Sequence, residues 1–289
     1  MEKLEVSLVI PNYNNGCYLS EAISSALQQT YEFKEIIIVD DCSTDNSREI
    51  INKLCDENKS VKSIFLRSNS GVSNARNIGL KHVRTEYVTF MDADDFYFSK
   101  DKIRNEVYKL IERRLCNEEP LIYSITVFGD HAGRKKLCMT NIWRPKWQFM
   151  EGDAFYRLLA PITLERAPRD YIIKTKTLID IGGYCNQISL FEDYDMLLRI
   201  ARTDTPFYCT YSEGTLYRDS LSGLSKKKED ELKKSLAGIT NKYYCTLAYD
   251  KRIKIRFLMC ITFVMRKSIG FIYFLGRLYM KLYQIYKEK

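Results

Sequence analysis

Residues 35–45 read Glu-Ile-Ile-Ile-Val-Asp-Asp-Cys-Ser-Thr-Asp, and this order of residue types decides the fold. The β-branched run favours a buried strand over Glu35–Val39, and two carboxylates stand side by side where it stops. The same pattern flanks it. Upstream, Glu5–Ile10 (EVSLVI) is a short apolar run closed by Pro11 and followed by Asn12-Tyr13-Asn14; downstream, Tyr87–Met91 (YVTFM) runs into Asp92-Ala93-Asp94-Asp95. Val61–Leu66 is a further strand. Between these runs, apolar residues recur at helical spacing over Leu19–Gln29, Asp45–Asn58 (with Asp45 or Thr44 as N-cap) and Ser73–Lys81. Strand and helix in alternation predict an α/β fold, a mostly parallel sheet flanked by helices. Ligands of such sheets bind beyond the carboxyl ends of the strands, where the polar clusters lie.

After residue 100 the pattern loosens. Lys102–Leu115 reads as a helix and Leu121–Phe128 as a strand, whereas 129–168 has no clean period. Strands are expected at Tyr171–Ile173 and Phe207–Tyr211, with helices around Lys176–Ile181 and Asp193–Ala201. The charged segment Lys226–Lys234 (KKKEDELKK) reads as a solvated helix or linker. The expected division is one main domain over 1–225, with a first half at 1–97 and a second at 98–225, and a C-terminal helical, basic-aromatic extension over 226–289.

Composition narrows the function. A chain that is 45% hydrophobic supports a sizeable core. The net charge is +8, yet residues 251–289 hold ten basic side chains and one acid, so the preceding 250 residues net to −1. A nucleic-acid-binding body carries a basic face of its own, and nucleic acid is not expected as a partner. The polar N-terminus lacks the features of a secretory leader. Nine scattered cysteines without a C-x-x-C pair read as reduced thiols, so the expected setting is cytoplasmic.

Crowded carboxylates repel unless a cation or hydrogen-bond donors relieve them. An Asp-x-Asp turn offers oxygens to a hard cation such as Mn²⁺ or Mg²⁺ that keeps positions open for phosphate oxygens. A single aspartate at a strand end is as readily a helix cap or a turn residue. Two clusters at adjacent strand ends favour the ligand.

The stretches VSLVIPNYNNGCYLSEAISSALQQTY, EIIIVDDCSTDNS, GVSNARNIGL and YVTFMDADD, in order over residues 5–97, resemble the family 2 glycosyltransferases of the GT-A fold. The resemblance implies a Rossmann-like fold and an inverting enzyme, a hexosyltransferase or N-acetylhexosaminyltransferase, that takes a nucleotide-sugar donor. It assigns Tyr13 to stacking on the base, with Pro11 shaping the backbone beside it. Asp41 is assigned to a base N–H, as in relatives that favour uracil, and Arg76 to the nucleotide pocket. Asp92 and Asp94 match the ends of the D-x-D motif, Asp94 as the metal ligand and Asp92 nearer the ribose or sugar, with Asp95 a local rival. Phe191-Glu192-Asp193-Tyr194-Asp195 resembles the family's segment that supplies the catalytic base, implying Asp193 for that role. Acids in a first helical turn are also explained by the helix dipole alone, which Glu192 and Asp195 satisfy equally. Gly182-Gly183-Tyr184 fits the family's turn before the acceptor side. Many GT-A enzymes place a histidine after the base. The matching stretch, Leu216–Ser222, has none, which leaves Asp219 or water for a third metal position and Arg218 for the diphosphate. Trp143 and Trp147, in Trp-Arg-Pro-Lys-Trp, suit either an acceptor platform or the core.

The tail alternates basic and apolar blocks. Phe257–Met265 and Ser268–Gly276 are split by Arg266-Lys267, and both fall short of the ~20 residues a spanning helix needs. An interfacial helix on an anionic membrane suits this pattern, at roughly 1 kcal/mol per basic residue; packing on its own domain or on a partner subunit is the structural alternative. Membrane contact implies a peripheral enzyme at the inner face of the cell membrane, acting on a saccharide or lipid-linked saccharide in surface polysaccharide or glycolipid assembly. A nucleotidyltransferase normally shows a Gly-rich loop after the first strand, absent here. A dinucleotide oxidoreductase needs G-x-G-x-x-G. A non-catalytic scaffold would not need Asp41, Arg76, Asp92, Asp94 and Asp193 together.

Overall fold

The computed structural model describes residues 3–137, 154–159, 168–203, 205–219, 229–249 and 252. Its first half is the alternation expected: β1 (Val6–Asn12), α1 (Gly16–Leu27), β2 (Glu35–Asp40), α2 (Ser47–Glu57), β3 (Val61–Phe65), α3 (Val72–His82) and β4 (Tyr87–Phe90). There follow β5 (Phe96–Tyr97), α4 (Lys102–Arg114), β6 (Leu121–Gly129), α5 (Phe155–Leu159), β7 (Ile173–Lys174), α6 (Thr175–Asp180), α7 (Glu192–Ala201), β8 (Phe207–Arg218) and α8 (Glu229–Cys245).

One sheet has the order β3-β2-β1-β4-β7, parallel except for β7. A smaller sheet has the order β5-β8-β6. The successors of β1 lie on opposite sides of it, β2 on one and β4 on the other, so a crevice opens at its carboxyl end. Every residue of β1, β2 and β4 is buried, as strands covered on both faces require. Side chains alternate between two apolar clusters. Val6, Leu8 and Ile10 pack with Leu19, Ala22, Ile23 and Ala26 of α1 and with α4. Val9, Ile37 and Val39 pack with α3, α7 and two residues of α8, Ile239 and Tyr243. Helix α3 lies close on the sheet because residue 79 is glycine; a Cβ there would stand 2.4 Å from Val9 Cγ1.

Pro11 does not end β1, which continues to Asn12. Val9 O accepts the Met91 N–H on the β4 side and Asn12 O accepts the Asp41 N–H on the β2 side. By alternation Pro11 faces the β4 side, where β4 has already ended, and its missing N–H leaves no ladder bond unmade. The cap of α2 is also corrected. Asn46, rather than Asp45 or Thr44, occupies the N-cap position, and Asp45 accepts the N–H groups of both Gly16 and Ser47 at 3.0 Å. β8 runs well past Tyr211, whose φ of 59° and the register shifts against β6 hide the strand from a period-2 reading. The charged segment belongs to α8 from Glu229 onward.

Candidate active site

Three strand ends and one helix start meet at the crevice. At the first, Asn12 Nδ2 donates to Asp40 Oδ1 at 2.8 Å and Asn14 Oδ1 accepts the Thr44 N–H at 2.8 Å, which ties the β1 and β2 loops into one ledge. Tyr13 stands out from that ledge, 44% exposed, as a stacking residue must. Asp41 is buried. It accepts the Ser70 N–H at 2.8 Å and Ser70 Oγ at 3.0 Å on Oδ1, and the Gly71 N–H at 2.7 Å on Oδ2. The carboxylate expected to read a base thus also fixes the turn that starts α3.

From α3, Arg76 spans the crevice. Its guanidinium donates to Asp92 Oδ1 at 2.6 Å and to Glu192 Oε1 at 2.7 Å, and lies 5.1 Å from the Tyr184 ring centre. Burial works against its charge, but the Asp92 and Glu192 carboxylates outweigh that and raise its pKa. Its neighbour Asn77 grips the Gly-Gly-Tyr turn: Asn77 Nδ2 donates to Tyr184 O at 2.8 Å and Tyr184 N to Asn77 Oδ1 at 2.7 Å. Gly183 has φ +69°, and a Cβ there would lie 2.4 Å from Asn77 Oδ1, so this approach requires glycine.

The acids of the first turn of α7 are not equivalent, as the dipole explanation alone would leave them. Glu192 pairs with Arg76; burial, then Asp193, pushes its pKa up against the pull of Arg76. Asp195, fully buried, is bound by Arg199 Nε at 2.8 Å and Tyr243 Oη at 2.7 Å. Asp193 faces the cleft and accepts only its neighbour's amide, the Tyr194 N–H at 2.8 Å, among the described hydrogen bonds.

The Asp92–Asp95 turn closes with Asp95 N donating to Asp92 O at 3.1 Å. Asp95 Oδ1 accepts the Arg218 N–H at 2.8 Å, and burial together with Asp94 and Asp92 holds its pKa well above the usual carboxylate range. Arg218, expected at the diphosphate, is buried and engaged internally. It donates from Nε to Asp94 O at 2.7 Å, from one terminal nitrogen to His131 O at 3.2 Å, and from the other to Glu21. That ties the D-x-D turn to α1 and engages the Arg218 donors within the protein. Asp219 pairs with Lys136 at 2.6 Å. Trp143 and Trp147 lie outside the described residues, as does nearly all of 251–289.

Arg76, Phe90, Met91, Asp92, Asp95, Arg169, Asp170, Tyr184, Asp193 and Thr215 line one open cleft. Arg169, Asp170 and Thr215 were not legible in the sequence. The charged pair Arg169-Asp170 just before an apolar run was the one available signal, and it sits at the end of the aperiodic stretch. Among the described residues no three His, Cys, Asp or Glu side chains are placed to hold a metal by themselves. A divalent ion held by one or two carboxylates and completed by substrate phosphates is compatible with that.

The parallel half-sheet, with the D-x-D turn at its switch point, is the arrangement of GT-A glycosyltransferase structures. Staphylococcus aureus TarS 1–349 in complex with UDP-GlcNAc superposes with a TM-score of 0.62 at 20% identity, over 92% of this chain and 73% of that one. The mannosyltransferase PcManGT of Pyrobaculum calidifontis, in complex with GDP-Man and Mn²⁺, gives 0.60 at 14% identity, over 99% and 83%. These likenesses establish the fold. The glycosyl transferase family 2 model matches residues 7–159, more than half of the chain, and the chain belongs to that family. An uncharacterized glycosyltransferase of Haemophilus influenzae is 43% identical over 151 residues, 52% of this chain and 58% of the relative. TuaG of Bacillus subtilis, named for teichuronic acid biosynthesis, is 37% identical over 108 residues, 37% of this chain and 42% of the relative. The chain thus spans about half the length of the curated relatives it matches.

Proposed function

We propose that the chain is an inverting glycosyltransferase that moves a sugar from a nucleotide-sugar, a UDP-sugar by preference, to an acceptor hydroxyl in polysaccharide or glycolipid assembly. The observation that carries this reading is the convergence of Arg76, Asp92 and Asp193 on one cleft at the switch point of the sheet. Tyr13 stacks on the base beside Pro11, and Asp41 accepts a base N–H. Asp193 takes the proton of the acceptor hydroxyl as its oxygen bonds to C1 of the sugar, opposite the C1–O bond that breaks. The nucleoside diphosphate leaves with that electron pair. Asp94, with Asp92 beside it, would hold Mn²⁺ or Mg²⁺, which when bound offsets the charge of the leaving diphosphate. Arg76 keeps Asp92 and the start of α7 in register.

The acceptor is a saccharide or lipid-linked saccharide, and residues 251–289 bring the site to an anionic cytoplasmic membrane surface. Among the described residues no helix is long and apolar enough to cross a membrane. Calorimetric titration of the purified protein with UDP, GDP, ADP and CMP, with and without Mn²⁺, tests the donor assignment. Metal-dependent binding of UDP alone is the expected result. Binding of another nucleotide would retain the class and discard the role of Asp41; no binding to folded protein would overturn the enzymatic reading.

A further inference from the structure

Behind the cleft lies a charged cluster to which the mechanism above gives no task. Lys102, the first residue of α4, is fully buried. A buried ammonium is costly unless paired, and Lys102 Nζ lies 2.9 Å from both Glu106 Oε2 and Asp170 Oδ2. Thr215 Oγ1, from β8, donates to the same Asp170 Oδ2 at 2.5 Å. Asp170 is itself 5% exposed and forms part of the cleft wall with Thr215, Arg169 and Asp193. Among the described residues both of its polar contacts fall on Oδ2, so the protein holds one oxygen, and the residue's place in the cleft wall makes Oδ1 the one a ligand would meet.

The chemistry of the cleft indicates what Oδ1 meets. Asp92, Asp170 and Asp193 line it beside Arg76 and Arg169, and acceptors facing a cleft suit a ligand carrying hydroxyl donors. A phosphate oxygen has no hydrogen to offer the Asp170 carboxylate, whereas a hydroxyl does. The Lys102 charge also compensates Asp170 locally, which makes it a fixed polar acceptor in a wall that holds both carboxylates and the Arg76 and Arg169 guanidinium groups.

We propose that Asp170 is a specificity-determining residue whose Oδ1 accepts a hydrogen bond from a ring hydroxyl of the sugar being transferred, with Lys102 and Thr215 fixing the carboxylate through Oδ2. The proposal rests on the glycosyl-transfer reading and adds to it the face of the cleft that reads the sugar. A ring hydroxyl of the acceptor has the same chemistry, and the test separates the two.

The test uses the full chain and Asp170→Ala, titrated with Mn²⁺ and UDP, GDP, UDP-GlcNAc, UDP-glucose or GDP-mannose in the absence of any acceptor. The tightest nucleotide-sugar is then replaced by analogues bearing fluorine in place of each ring hydroxyl in turn, since fluorine cannot donate. One analogue is expected to lose about tenfold or more in affinity on the wild type and less than about twofold on the variant, the signature of a removed pair. The nucleoside diphosphate alone should bind both proteins within about twofold. Equal losses on both proteins, with diphosphate binding intact, would overturn the role of Asp170. A difference that emerges only with deoxygenated acceptors would overturn its assignment to the donor sugar. Absence of nucleoside diphosphate binding to the folded wild type would overturn the glycosyl-transfer reading and this inference with it. Should Asp170→Ala melt early, Asp170→Asn serves instead. Lys102, having only donors, holds the amide oxygen, which presents an N–H where the acceptor stood, and the same double difference is read.

Discussion

Asp193 and Asp94 lie 99 positions apart in the sequence and are assigned complementary tasks. Asp193→Asn is expected to leave UDP affinity unchanged and to lower the transfer rate by about 10²–10⁴-fold, the usual contribution of a positioned base. Calorimetry and a turnover assay on the same sample check it, and loss of UDP binding would make the residue structural. Asp94→Asn is expected to abolish metal-dependent turnover, and full activity at saturating Mn²⁺ would remove the metal assignment. Both were singled out in the sequence because each belongs to a contiguous motif, Asp94 at the end of an apolar run and Asp193 at the start of a helix. The internal contacts of Arg218 were hidden because only its neighbours in sequence were visible. Its real partners, Glu21, the Asp94 carbonyl and the His131 carbonyl, are brought to it by β8, whose bulge breaks the alternation that would have revealed the strand. Asp170 was missed for a related reason: its partner Lys102 looks in sequence like an ordinary first-turn lysine.

At the scale of elements, α3 and α4 each carry a polar group through the apolar packing. In α4 this is Lys102 with Glu106 one turn on. Burial raises the Glu106 pKa from 4.5 to about 7, with Lys102 pulling it down and Asp170 pushing it up. The folded state therefore holds this proton more tightly than the unfolded chain. Stability from the group is complete below about pH 4.5 and is lost as pH rises toward about 7. Glu106→Gln removes the titration. The midpoint of thermal unfolding, followed from pH 5 to 8, is expected to fall less steeply in the variant, and parallel profiles would refute the assignment. The central strands and helices were legible because β1, β2 and β4 are buried on both faces and read as continuous apolar runs. The boundaries that moved, at Pro11 and at the start of α2, depend on which neighbour a backbone group faces, and that information is not local.

For the whole molecule, the expected break near residue 226 meets a physical limit. Ile239 and Tyr243 of α8 are buried in the cluster that contains Val9 and α7, and Tyr243 Oη satisfies Asp195. A chain ended at residue 225 exposes that apolar surface and removes a hydrogen bond from a fully buried carboxylate, a loss of about 1–3 kcal/mol from the bond alone. A chain ended at residue 250 retains both contacts. Its melting midpoint is expected to stay with the full-length protein while that of the shorter chain falls. The same 250-residue chain is expected to be released from liposomes containing anionic lipid, and undiminished sedimentation with them would refute the role given to the basic tail.

Arg76 holds Asp92 with one nitrogen and Glu192, next to Asp193, with another. A donor that draws on Asp92 loosens one arm of that link and leaves the guanidinium to Glu192, at the start of the acceptor helix. Binding at the two ends of a shared ion is reciprocal: whatever factor the donor adds to acceptor affinity, the acceptor must return to the donor. The two substrates are then not independent tenants of the cleft. The half-filled enzyme differs from the empty one in how Glu192, the residue beside Asp193, is held, so the coupling of the two substrates runs through one side chain.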